Sequence, residues 1–168
     1  WMPTLDSRSY QQFRHPDWPD TALKNYLTVL DEQGRLRSQV HEVLEVAAAK
    51  DLIVATGHIS AAEGLAVVAA AKAHRVRRVL ITHADNPADC YTLAEQQECV
   101  RLGALIEHSY FTVARQRVTR AELIRQIKGV GVEQVILSTD FGQVDALYPD
   151  EGLAEFAQLL ADGGITAG

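Results

Sequence analysis

Cysteine is scarce: only Cys90 and Cys99 occur in 168 residues. They sit nine positions apart in one helix-like segment, which speaks against a disulfide and for a reducing, cytoplasmic setting. No apolar run reaches the ~18 residues that a spanning helix needs, so no membrane partner is expected. The first residues show no basic stretch leading into an apolar one, so no secretory signal is read there. Positive charge is in deficit, with 16 Lys and Arg against 22 Asp and Glu and a formal net charge of -6. That balance argues against nucleic acid as a partner. No G-x-G-x-x-G follows any apolar run, which disfavours a dinucleotide fold. What remains is 47% apolar and 23% charged, the composition of a globular protein rather than a disordered tail or a coiled coil.

Residues 1–36 read as irregular, with Pro3, Pro16 and Pro19, both tryptophans and a short hairpin around Gly34. Such a long excursion is often a cover over a site. From residue 37 to 168 the chain becomes a series of strand–helix units. Helices are expected over 37–50, 61–74, 92–102, 119–128 and 151–161, and strands over 52–56, 76–82, 104–106 and 134–139. Ser60 with Glu63 forms a capping box, Thr119 with Glu122 repeats the pattern, and Gly103 closes a helix. The strands are continuously apolar rather than alternating, as in a parallel sheet covered by helices. Residues 1–168 are expected to form one α/β domain.

His58, His83 and His108 are spaced 25 residues apart, each beside the end of an apolar run, and Asp140 ends the next one. One βα unit occupies about that length, so the spacing puts these residues at equivalent places in successive units. The carboxyl ends of parallel strands are where α/β folds hold their ligands. Imidazole and carboxylate groups gathered there suit zinc and similar divalent ions. In an open sheet the strand ends form a line, whereas in a barrel they converge. His74 reads as a helix-terminal histidine, His41 as solvated and His15 as part of the N-terminal loop.

At Thr56-Gly57-His58, Ile81-Thr82-His83 and Ser138-Thr139-Asp140 the chain resembles the amidohydrolase superfamily of metal-dependent hydrolases. The resemblance covers roughly residues 37–162 and includes the longer run Leu-Ser-Thr-Asp-Phe-Gly-Gln. It implies the C-terminal half of a (β/α)₈ TIM barrel, about strands four to eight, with parallel strands and outer helices. His58, His83 and Asp140 would then bind metal, and Asp140 would act as the catalytic proton acceptor. The implied cofactor is a divalent metal, zinc first, with manganese or iron as alternatives. The implied chemistry is hydrolysis of an amide, lactone, ester or phosphoester in a small-molecule substrate. His108, Gln143 and the 107–111 loop are expected substrate contacts. The superfamily's His-x-His of strand one has no counterpart here. The chain begins Trp1-Met2-Pro3-Thr4 and falls short of the ~250 residues of a complete barrel, so it is expected to be a piece of a longer protein. An incomplete barrel exposes apolar flanks, which makes a homo-oligomer the expected assembly. Two other classes fit the same residues: a metal-dependent decarboxylase or phosphoesterase, and a non-catalytic α/β ligand-binding domain.

Overall fold

A computed structural model describes residues 1–166. Four strands, β1 (Ile53–Ala55), β2 (Arg78–Ile81), β3 (Leu105–Ser109) and β4 (Val135–Ser138), form an all-parallel sheet in the order β1-β2-β3-β4. Between them run α3 (Ser38–Ala49) before β1, α4 (Ala61–Ala73), α5 (Leu93–Leu102) and, after β3, α6 (Tyr110–Ala114) and α7 (Arg120–Val130). The last helix is α8 (Pro149–Asp162). Parallel neighbours need a crossover, and crossovers are right-handed, so strands in consecutive order carry their helices on one face.

Strand register shows which face that is. Val54, Val79, Ile81, Ile106 and His108 share one face and are buried. Ile53, Leu105 and Ile136 share the other and are exposed by 61%, 36% and 38%. The expectation of strands buried on both faces therefore fails for one side of the sheet. It fails most for β4, where Leu137 on the covered side is also exposed. The continuous apolar character of these strands is matched by cover on one face only.

The helix ends formed as their cap residues dictate. Ser60 and Glu63 make a reciprocal capping box at α4, and Thr92 with Glu95 makes a second one at α5. Thr119 accepts from the Glu122 amide at α7, and Gly103 ends α5 with φ 102°. Glu63 reaches further: one carboxylate oxygen accepts from the Thr28 hydroxyl and the Val29 amide, tying the N-terminal excursion to α4.

The excursion itself is more regular than expected. It contains α1 (Arg8–Arg14), capped by Ser7, and a short α2 (Asp20–Leu23). Neither buries a periodic apolar stripe, and only Leu23 of the two is buried, so hydrophobic spacing gave no sign of them. The turn at Gly34 is present, with Leu30 and Leu36 in an antiparallel bridge. Residues 2 and 3 run beside β1, the Met2 amide donating to Ala55 and Pro3 accepting from the His58 amide. His41 is half-buried rather than solvated and meets His74 ring to ring at 2.9 Å. His15 stacks on Trp18 with ring centroids 3.8 Å apart.

Two apolar clusters fill the interior. One joins β1–β3 to α3–α5 around Leu44, Val67, Ile81 and Ile106. The other joins α6, α7 and α8 around Leu123, Ile127 and Phe156. No helix among the described residues is long and apolar enough to cross a membrane.

Candidate functional site

The carboxyl ends of β1 and β2 are laced together by their threonines. Thr56 Oγ1 accepts from the Thr82 amide, and Thr82 Oγ1 accepts from the Gly57 amide, both at 3.0 Å. This exchange carries the pairing past the last ladder bond and holds the next residues, His58 and His83, side by side. Their ring centroids are 4.6 Å apart, edge to face. The backbone turns sharply here. Gly57 has φ 63°, His83 φ 28° and Asp140 φ 54°. Left-handed conformations cost non-glycine residues energy and cluster where geometry serves function. Two of the three residues expected to bind metal adopt one.

The loop after β2 supplies partners that the spacing of histidines did not reveal. Asp89 Oδ2 lies 2.6 Å from His83 Nδ1, with both side chains buried. It is a close ion-pair contact rather than an aligned hydrogen bond. Nε2 is then the His83 nitrogen left for a ligand. The His83 amide donates to Glu107 Oε2 at 3.2 Å. Asp85, also buried, accepts from the Thr112 hydroxyl at 2.6 Å and stands 3.6 Å from His108 Nδ1, too far for a hydrogen bond. The run His83-Ala84-Asp85-Asn86-Pro87-Ala88-Asp89 was the available signal, since two aspartates directly after a strand-end histidine can reach back to it.

The expected residues do not all meet. In register, His108 pairs with Leu137, and Asp140 lies three residues beyond that point. His108 belongs to β3 rather than to the loop after it, and its ring is fully enclosed on the helix-covered face. No open surface reaches it, so the expected substrate contact is not offered by His108 in this arrangement. Gln143 is exposed beside Asp140, its side-chain amide donating to the Asp140 carbonyl at 3.1 Å. Asp140 stands at the exposed rim, close enough to His83, Glu107 and Arg117 for their charges to act on its carboxyl.

Those charges and burial set the protonation states. Burial pushes His58 down to about 4, and the neighbouring His83 adds to this. For His83, burial also opposes the charge, but Asp89, followed by Asp140 and Glu107, outweighs it and raises the pKa. Asp89 is pushed up to about 6 by burial, against the pull of His83. Asp140 is raised by desolvation on its protein side, with His83 and Arg117 pulling the other way.

These shifts have opposite effects on acid stability. His58 has a folded-state value near 4 against 6.5 unfolded, so its contribution is present above pH 6.5 and is lost as the pH falls through about 4. Asp89, about 6 against 3.8, contributes below 3.8 and loses that contribution as the pH rises through about 6. Between those values the two oppose each other. Replacing His58 with Gln removes the acid-destabilising member alone. The variant is therefore expected to lose less stability than wild type between about pH 7 and about pH 5 in urea titrations. Parallel pH profiles for the two proteins would contradict the burial assigned to His58.

Helix α1 roofs this region. Ser7 donates its hydroxyl to the His58 carbonyl, Ser9 to the Ala88 carbonyl at 2.7 Å, and Tyr10 sits edge-on to His58 at 5.0 Å. Beside it a cleft of about 470 Å³ opens between Phe13, Pro16, Thr28, Ser60 and Ala88. His58, His83 and Asp140 do not line it, but Ser60 follows His58 and Ala88 follows His83 closely in the chain.

The donor chemistry fits a divalent ion: His58 Nδ1 is buried without a partner, His83 keeps Nε2, and carboxylates surround the pair. Among the described residues, however, no three His, Cys, Asp or Glu side chains are arranged so that they could hold a metal ion together. Cys90 and Cys99 are both free thiols.

Fold and site together define an α/β protein with a parallel sheet and a histidine–carboxylate cluster at its strand ends. Residues 1–107 match the model of a family described as a family of unknown function (DUF6282), and the chain belongs to that family. The matched part includes the α1 roof, His58, His83, Asp85, Asp89 and Glu107; His108 and Asp140 lie beyond it. No curated protein and no solved structure matches the chain.

Proposed function

We propose that this chain is a metal-dependent hydrolase of the amidohydrolase type, carried on part of a (β/α)₈ barrel and acting in the cytoplasm on a small molecule. The observation that carries the reading is the His58–His83 pair, set by the threonine exchange at adjacent strand ends, with the His58 Nδ1 buried and unpartnered. Consecutive strand order favours a barrel arc over a doubly wound sheet, whose order reverses at a switch point. The open sheet face and the unpaired edge of β4 favour assembly with another copy.

His58 and His83 would hold the ion, zinc by preference and manganese or iron as alternatives, and Asp140, near His83 but not closed onto the pair in this arrangement, would have to move in as the third ligand. A bound ion would supply Lewis-acid chemistry, lowering the pKa of a bound water toward neutrality. Asp89 fixes the His83 ring, so that Nε2 rather than Nδ1 faces the site. Asp140, on the open rim, takes a proton at its carboxylate and returns it to the leaving group of an amide, lactone, ester or phosphoester. Gln143 stands beside it as a substrate contact. The α1 roof limits water around the reacting groups.

A second reading, a non-catalytic α/β ligand-binding domain, is favoured by the absence of a closed three-residue ligand set among the described residues. Elemental analysis of the purified protein, with a hydrolase panel, separates the two. Near-stoichiometric zinc or manganese, lost in His58→Ala and Asp140→Ala, is the expected result. No metal, and no turnover after zinc or manganese is added, would leave the binding domain.

A further inference from the structure

We propose that Arg117 is the anion-binding residue of this site, and that the substrate is a small molecule with a carboxylate or phosphate beside an apolar body. The inference rests on the strand-end site described above and names the substrate class it serves.

Several arginines of the chain are neutralised by carboxylates. Arg115, two residues earlier, grips Asp145 with two hydrogen bonds of 2.9 and 2.7 Å. Arg8 pairs with Asp20, and Arg125 with Glu122. Arg117 forms no ion pair among the described residues, yet its guanidinium is held in place. It lies 4.8 Å from the Phe111 ring centroid and 5.9 Å from that of Phe13. Aromatic faces hold a guanidinium by its plane and leave the N–H groups at its edge free, in the fork that matches a carboxylate or phosphate.

The backbone behind it is equally determined. Gln116 takes a left-handed turn at φ 55°, and the Arg117 amide donates to Thr112 at 2.8 Å. Thr112 is bound in turn to the buried Asp85. The Phe111 amide donates to the Thr139 carbonyl at 3.0 Å, which ties the residue bearing that ring to the chain just before Asp140. Phe13 also walls the cleft beside the site, so the same ring that steadies the cation offers an apolar surface to a ligand.

Charge supplies the remaining reason. Asp85, Asp89, Glu107 and Asp140 crowd this end of the sheet. An uncompensated anion approaching them is repelled, and an unpaired cation at the rim is what admits one.

The test is an NMR titration of the full chain, without added metal, using benzoate, phenyl phosphate and benzyl alcohol as probes. Wild type is expected to bind at least one of the two anions about 10-fold more tightly than benzyl alcohol, the margin of a charge-assisted fork. The tighter anion identifies the headgroup. Arg117→Gln loses the preference, Arg117→Lys keeps part of it as a point charge without a fork, and Arg125→Gln, whose side chain pairs with Glu122, leaves it unchanged. The amide spectrum of Arg117→Gln reports whether the fold is intact. Equal binding of all three probes by wild type, no binding of any, or a preference that survives in a folded Arg117→Gln would overturn the proposal. Binding is read without turnover, so anion binding through Arg117 in a protein that hydrolyses nothing retains this inference and removes only the hydrolase reading.

Discussion

His83→Ala is expected to weaken zinc binding by more than about 100-fold, because removing an outer-shell partner alone commonly costs about 10–100-fold and we propose His83 as a direct ligand. Asp89→Asn tests the same geometry one step back. It keeps the size of the side chain 2.6 Å from Nδ1 but removes the carboxylate that orients the ring, so it should fall within about 10–100-fold. Competition against a chromophoric chelator reads both affinities. If His83 served only to fill the interior, its loss would lower stability and leave zinc affinity unchanged. Equal affinities in wild type and His83→Ala would therefore end its assignment as a ligand.

Gly57→Ala should be among the most damaging substitutions available for its size. Gly57 sits at φ 63°, where an L side chain is strained, and a Cβ there would stand 2.7 Å from the Pro3 carbonyl oxygen and 2.8 Å from that of Met2. Both obstacles are backbone, so neither can swing away. Left-handed strain of ~1–2 kcal/mol and overpacking of ~1–3 kcal/mol together suggest a loss of about 2–5 kcal/mol. The damage is also directional. Relieving the clash pushes residues 2 and 3 off β1 and breaks the hydrogen bond from the His58 amide to Pro3, so the edge of the sheet and the site loosen together. Urea unfolding gives the first effect, and amide exchange at Met2 and His58 gives the second. A variant with wild-type stability and protection would show that the N-terminal segment does not lie against β1.

Much of this architecture was legible because it depends on local chemistry. Ser60 and Glu63, Thr119 and Glu122, and Gly103 act within one turn of chain, and each cap formed where its residues stand. The 25-residue step from His58 to His83 survives folding because β1 and β2 pair at that offset, Ala55 opposite Leu80. The step to Asp140 does not keep this register. β3 and β4 pair with Ile106 opposite Val135, and α6, five residues long, intervenes without a periodic pattern to announce it.

What escaped the sequence needed the chain to fold back on itself. Asp85 and Asp89 were ordinary loop acids until the turn at Asn86 carried them to His108 and His83. Arg117 was one arginine among many until Phe13, more than 100 positions earlier, came to lie against its guanidinium. The open face of the sheet was equally hidden, since apolar strands look alike whether covered on one side or two. The amino-acid order by itself determined the parallel α/β units, their caps and the recurrence of histidine at strand ends, because each rests on neighbours in sequence. Only the tertiary structure decided which histidines meet, which carboxylates orient them and which aromatic rings hold Arg117, because those depend on distances between residues the chain keeps far apart.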